Sequence, residues 1–389
     1  YTFGAIGDPR PWANILGNVS DSDGIDSLVY TLNGGTEVEL SIGPDMLRNQ
    51  ELGDFNIDIA RNTLEVGLNT VVITATDAFG NQTVQNVDVN YIAGQEWPLA
   101  YTADWSSADE ISDVAEVVDG HWILTPQGVR TLSIGYDRLV SLGNSSLENY
   151  EVVVPVTIHD MDQSGISSPG VGVITRWGGY DIDPSQPHSK WWPIGGLGWY
   201  RASMLRILAR GESSPQTTIA KTARILEAEE TYIFKIRVEQ NAGAEAATYS
   251  MKVWQQGTTE PGGWDISSQG VNDERSSGSI VLLAHYTDAT FGNATITPIG
   301  TGITSERVIR RNRLRSSTFD LNFGSITFTT FSSGTSVDQG DVASTGTSSI
   351  VTTPNSPEPE QEETGLGTVV RDVSGELTLP ELVDAYKIL

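Results

Sequence analysis

The stretch Thr231-Tyr232-Ile233-Phe234-Lys235-Ile236-Arg237-Val238-Glu239 and, after a polar turn, Ala247-Thr248-Tyr249-Ser250-Met251-Lys252-Val253-Trp254 decide the fold. In both, large apolar residues alternate with polar ones, the two-residue period of a strand with one buried face. β-Branched and aromatic side chains dominate, as a pleated surface prefers. The signature recurs around them. Further strands are predicted at Gly120–Leu124, Tyr150–His159, Gly170–Trp177, Leu205–Ala209, Ser279–His285 and Ala294–Pro298, with Gly, Pro, Asn and Ser between them.

Upstream, residues 1–92 read as a small β domain. Val29-Tyr30-Thr31-Leu32 runs into Asn33-Gly34-Gly35, a hairpin signal, and Val38 and Leu40 then alternate with Glu37, Glu39 and Ser41. Phe55, Ile57 and Ile59 alternate with Asn56 and Asp58. Val71 to Asp77 forms a strong strand, turned by Asp77-Ala78-Phe79-Gly80-Asn81. With Val19-Ser20-Asp21-Ser22-Asp23-Gly24-Ile25 and Leu68-Asn69-Thr70-Val71, the region resembles bacterial immunoglobulin-like or cadherin-like repeats. Residues 93–300 form a larger unit. Its strand succession through Glu260-Pro261, Trp264 and Ala289-Thr290-Phe291-Gly292-Asn293 resembles the concanavalin A-like lectin/glucanase group, including laminin-G-like domains. The expected fold class is therefore all-β: an immunoglobulin-like sandwich, a larger concanavalin A-like jelly-roll sandwich, and an extended C-terminal tail.

That tail, 301–389, differs in composition. Arg307, Arg310, Arg311, Arg313 and Arg315 form the dense basic cluster of the chain. Phe319, Leu321 and Phe323, then Ile326 and Phe328, alternate around Gly324-Ser325 as a hairpin would. Residues 332–356 are rich in Ser, Thr and Gly, and Pro357-Glu358-Pro359-Glu360-Gln361-Glu362-Glu363 reads as a linker. Such a segment buries little by itself and needs a neighbouring domain or subunit to hold it. We expect an assembly arm, in which the arginines and Phe319, Leu321 and Phe323 join copies into homo-oligomers or filaments.

Composition narrows the function. The 389 residues contain no cysteine, which excludes disulfides, zinc–cysteine sites and thiol catalysis. Fifty acidic residues against 23 basic ones give a charge of −27, which disfavours nucleic acid and anionic lipid. No apolar run is long enough to span a membrane. The expected location is extracellular or at the cell surface. Carboxylate oxygens suit Ca²⁺. Asp21, Asp23 and Asp26, in a loop where cadherin-like repeats hold that ion, are one candidate set, and Asp181 and Asp183 are another.

Nine of the ten tryptophans lie in 93–300. Trp177, Trp191, Trp192, Trp199 and Tyr200 fall within a short stretch, and exposed indoles there would stack on the C–H face of a sugar. Packing within a large sandwich accounts for the same rings. Retaining glucanases of this group carry two carboxylates about 5–5.5 Å apart, on one strand face and hence at even spacing. The nearest match, Glu110-Ile111-Ser112-Asp113-Val114-Ala115-Glu116, spaces them by three, so on a strand Asp113 would point away from its partners. No Gly-x-Ser-x-Gly elbow, His-Glu-x-x-His, P-loop or dinucleotide fingerprint is present. The sequence points to a non-enzymatic surface protein, assembling through its tail, with carbohydrate binding as the second reading.

Overall fold

The computed structural model describes residues 2–45, 47–161, 168–179, 194–241 and 243–300. Beyond these it describes the backbone of three strands, Asn322–Phe323, Ile326–Ser332 and Leu382–Lys387. The fold is all-β. Regular structure among the described residues is otherwise limited to single 3-10 turns at Arg61–Thr63, Trp105–Ser107 and Ile111–Asp113.

A first sandwich uses strands between residues 2 and 91. One sheet runs in the order Thr2–Phe3, Gln82–Tyr91, Gly67–Asp77, Ile25–Leu32, Val38–Glu39. The hairpin signal at 33–35 makes its turn with Asn33 and Gly34 both at positive φ, 52° and 70°. The opposing sheet pairs Trp12–Asn18 with Asp54–Ala60. Phe3, Ile15, Phe55, Ile57, Val71 and Ile73 fill the space between them. The free edge of Trp12–Asn18 accepts Leu382–Lys387 in antiparallel register, Leu16 opposite Tyr386, and Ile326–Ser332 adds in parallel outside it. The tail strands thus lie on the first sandwich of their own chain.

The larger sandwich stacks a nine-stranded sheet on a seven-stranded one. The deciding hairpin, Thr231–Glu239 with Thr248–Gln255, sits in the nine-stranded sheet next to Tyr150–Met161. The seven-stranded sheet runs Thr217–Ala223, Met204–Ala209, Gly196–Arg201, Gly170–Trp177, Ser279–His285, Arg138–Leu142, Glu116–Asp119. Val152, Val154, Phe234 and Ile236 meet Val171, Val173, Leu282 and Ile207 across the core. The strands Gly170–Trp177, Ser279–His285 and Ala294–Pro298 have the bounds read from the sequence.

Two features depart from a simple strand reading. Glu110 to Asp113 is a capped 3-10 turn, in which the Asp113 carboxylate accepts from the backbone N–H groups of Asp109 and Glu110 at 2.9 and 3.0 Å. The carboxylate spacing there serves a turn. Second, both faces of Asp54–Ala60 are buried: Asn56 and Asp58 are as enclosed as Phe55 and Ile57. Their polar face lies against the second sandwich.

Candidate functional site

The two sandwiches meet at the edge strand Glu116–Asp119, which carries a β-bulge. Edge strands leave backbone groups without sheet partners. Here donors from the first sandwich fill the need. Arg10 donates to the Val117 carbonyl at 2.6 Å, and Asn14 to the Val118 carbonyl at 2.9 Å. Arg48 donates to the Val118 carbonyl at 3.2 Å while its Nη1 holds Asp58 at 2.6 Å. Carboxylates complete the seam: Glu116 lies 3.6 Å from Arg10, and Asp119 lies 3.4 Å from Arg48 and 3.6 Å from Arg138. All of these side chains are buried. Burial pushes Glu116 up to about 7 and Asp119 up to about 8, against the lowering pull of the arginines. His121, largely but not fully covered beside Arg138, is pushed down to about 4 by loss of solvent and by that arginine. The cavity among Arg48, Phe55, His121 and Arg138 is about 20 Å³, room for one water.

The outer face of the seven-stranded sheet continues this contact. Ile174, Trp177, Leu197, Trp199, Val281 and Leu283 form an apolar layer there, and Trp12 from the first sandwich packs on it. Gly179 makes room for Trp12, since a Cβ would collide with its ring. Of the aromatic residues proposed for sugar stacking, Trp177 is fully enclosed in this layer. Trp199 is buried beneath the Arg201 guanidinium, 4.5 Å from the ring centroid. Tyr200 points the other way, into the core between the sheets. Trp191 and Trp192 lie outside the described residues. Beside Trp199, His285 holds Asp137 at 2.6 Å and is edge-on to Tyr136 and Tyr286.

The expected metal ligands are not drawn together. Asp21 turns its carboxylate onto the Asp23 N–H at 2.7 Å, forming a local turn. Among the described residues, no three His, Asp or Glu side chains gather as a metal site. Asp181 and Asp183 lie outside the described residues, as do Arg307, Arg310, Arg311, Arg313, Arg315, Phe319 and Leu321. Phe323 ends the short Asn322–Phe323 strand.

A groove of about 240 Å³ opens on the outer face of the nine-stranded sheet. In Tyr150–Met161 the even-numbered valines and Ile158 face the core, so Thr157 and His159 face outward. The His159 Nδ1 lies 2.9 Å from Glu229 Oε2 and its Nε2 lies 2.8 Å from Thr290 Oγ1. A carboxylate only accepts, so Nδ1 donates and the neutral ring's Nε2 accepts from the Thr290 hydroxyl. Thr157 and Thr231 share a hydrogen bond of 2.7 Å across neighbouring strands. Arg130 is held by Asp288 through two bonds, 2.9 and 2.6 Å. Threonine, histidine and glutamate in line have the order of a nucleophile, its base and an orienting acid. The nearest cationic donor, however, is engaged by Asp288, and the Thr290 hydroxyl is nearly enclosed. As it stands, the arrangement supplies fixed hydroxyls and a carboxylate.

Sequence reasoning missed both the seam and the groove. The even spacing of Thr157 and His159 marks a shared face. Their partners lie 74 and 131 residues away, beyond any local pattern.

No protein-family model matches the chain, and no curated protein matches it. Among solved structures, the Ca²⁺-bound exoplasmic/lumenal domain of VIP36 is similar over 49% of this chain and 85% of its own, with 13% identity and a TM-score of 0.35. A legume lectin-like domain from Entamoeba histolytica is similar over 49% and 92%, with 10% identity and a TM-score of 0.32. An endo-1,3-beta-glucanase from Streptomyces sioyaensis is similar over 74% and 97%, with 9% identity and a TM-score of 0.28.

Proposed function

We propose that the protein is a non-enzymatic structural and adhesive component of an extracellular surface, built as two sandwiches locked into one stiff body and joined to other copies by its tail. The observation that carries this reading is the buried ionic seam. An interface of Arg10, Arg48, Asp58, Glu116, Asp119 and Arg138 favours one docking geometry: in it the Val117 and Val118 carbonyls accept from Arg10, Asn14 and Arg48, and a shifted arrangement would break these bonds while the groups stay buried. Domain boundaries near 92 and 300, with an immunoglobulin-like spacer and a concanavalin A-like body, belong to this proposal. Assembly would exchange a strand between copies: the edge of Trp12–Asn18, which Leu382–Lys387 of its own chain occupies here, would take the same strand from a neighbour. A head-to-tail contact of that kind gives filaments when it does not close. Removing residues 301–389 is expected to leave both sandwiches folded and to abolish oligomers in sedimentation velocity. Identical oligomers in the truncated chain would refute assembly through the tail.

A second reading, glycan binding by the larger sandwich, is favoured by the hydroxyl-rich groove over the nine-stranded sheet. In this reading Ca²⁺ would be held by the carboxylates of Asp21, Asp23 and Asp26 or of Asp181 and Asp183. Titration with Ca²⁺ in a calorimeter tests it, and heat lost in Asp181→Asn would support it.

A further inference from the structure

We infer that the groove on the outer face of the nine-stranded sheet is a binding site for a neutral, polyhydroxylated ligand of about one sugar ring. This rests on the glycan-binding reading, and it moves the site to the sheet opposite the tryptophan-lined face. Two observations lead there. The tryptophan-lined face is already occupied: Trp12 packs on its apolar layer, Trp177 is enclosed and Arg201 covers Trp199. The groove on the other sheet is open, and its volume of about 240 Å³, below the roughly 300–1,000 Å³ of drug-sized sites, limits the ligand to about one ring.

The groove's chemistry selects the ligand class. Its one arginine, Arg130, is neutralised by a bidentate Asp288, so little positive charge is left to hold an anion. No set of three ligating groups is present for a cation among the described residues. What remains are groups that both give and take hydrogen bonds. The Thr157 and Thr231 hydroxyls share one bond, which leaves one proton and further lone pairs to face the groove. The Gln127 side chain lies at the mouth, exposed and without a hydrogen bond to any described residue. Sugar hydroxyls are matched by such mixed donor–acceptor sets.

Glu229 provides the acceptor of greatest strength. One of its oxygens is bound by His159, which is fixed in turn by Thr290. The side chain is otherwise 69% exposed. Glu229 is held at φ 62°, in the left-handed region that glycine and asparagine enter most readily, by a bond from its N–H to the Ile158 carbonyl. Here that position carries a carboxylate, oriented over the groove by the half-buried His159 and the Thr290 behind it. A carboxylate so fixed can accept two vicinal hydroxyls with little further ordering.

The test uses the full chain and saturation-transfer NMR with the methyl glycosides of glucose, galactose, mannose and N-acetylglucosamine. Signal is expected from at least one, reduced at least fivefold by Gln127→Ala and by Glu229→Gln. Gln127 is exposed, so its substitution leaves folding intact even if that of Glu229 does not, and thermal melts check both. Signal that persists in both variants but disappears in Trp191→Ala or Trp192→Ala would overturn this site while sustaining glycan binding. No signal with any of the four glycosides would overturn the site and the glycan-binding reading together.

Discussion

At the scale of single residues, the titrating groups of the seam carry opposite pH signatures. His121 is pushed down to about 4 by burial and by Arg138. The unfolded chain, near the ordinary value of about 6.5, binds that proton more readily. The stability neutral His121 contributes is therefore present above about pH 6.5 and is lost as the pH falls toward 4. At about 1.4 kcal/mol per unit, the loss approaches about 3 kcal/mol. Glu116 and Asp119, raised to about 7 and about 8, act in reverse: their contribution is present below about pH 4 and is lost as the pH rises through those values. Relative to the parent, His121→Gln should gain melting temperature as the pH drops from 6.5 to 4, and Asp119→Asn should gain it as the pH rises from about 4 to about 8 and level off above that. Parallel melting curves across that range would contradict the assignment.

At the scale of elements, Gly196–Arg201 shows how a strand can turn nearly bare backbone to a core. Gly196 faces the Tyr249 ring, and Gly198 faces Ile236 and Met251 from the opposite sheet. A Cβ on Gly198 would stand 2.9 Å from Ile236 Cγ1 and 3.3 Å from Met251 Sδ, so the sheets must part slightly to admit it. Gly198→Ala is expected to destabilise the larger sandwich by about 1–3 kcal/mol, the usual cost of overpacking, measured by urea denaturation. Unchanged stability would mean that the sheets relax freely at this point. The strand hairpins were legible in sequence because period and turn chemistry are local. The turn at Glu110–Asp113 was open to misreading, since the same acids serve a capping box or a strand edge.

At the scale of the whole molecule, the seam is expected to couple the unfolding of the two sandwiches. Arg48 touches Asp58 on its own side and Asp119 and the Val118 carbonyl on the other. Removing one partner of a buried ionic set leaves charge unpaired and costs about 3–5 kcal/mol. Arg48→Met should cost that much and divide a single calorimetric transition into two, as the sandwiches lose their coupling. One transition in both proteins would show that apolar contact through Trp12 suffices to couple them.

The sequence by itself determined that the chain is all-β, that its strands alternate, and where many of them begin and end. Those properties follow from side-chain period and turn residues within a few positions of one another. Only the tertiary structure decided which polar faces are wet. Asn56 and Asp58 have the pattern of a solvent face and are buried in a seam, because a second sandwich lies against them. Trp177 and Trp199 have the composition of a sugar platform and lie under Trp12 and Arg201. His159, Glu229 and Thr290 carry no joint signal in sequence and meet within 3 Å. Local period fixes a residue's face, whereas packing between distant segments fixes what that face meets.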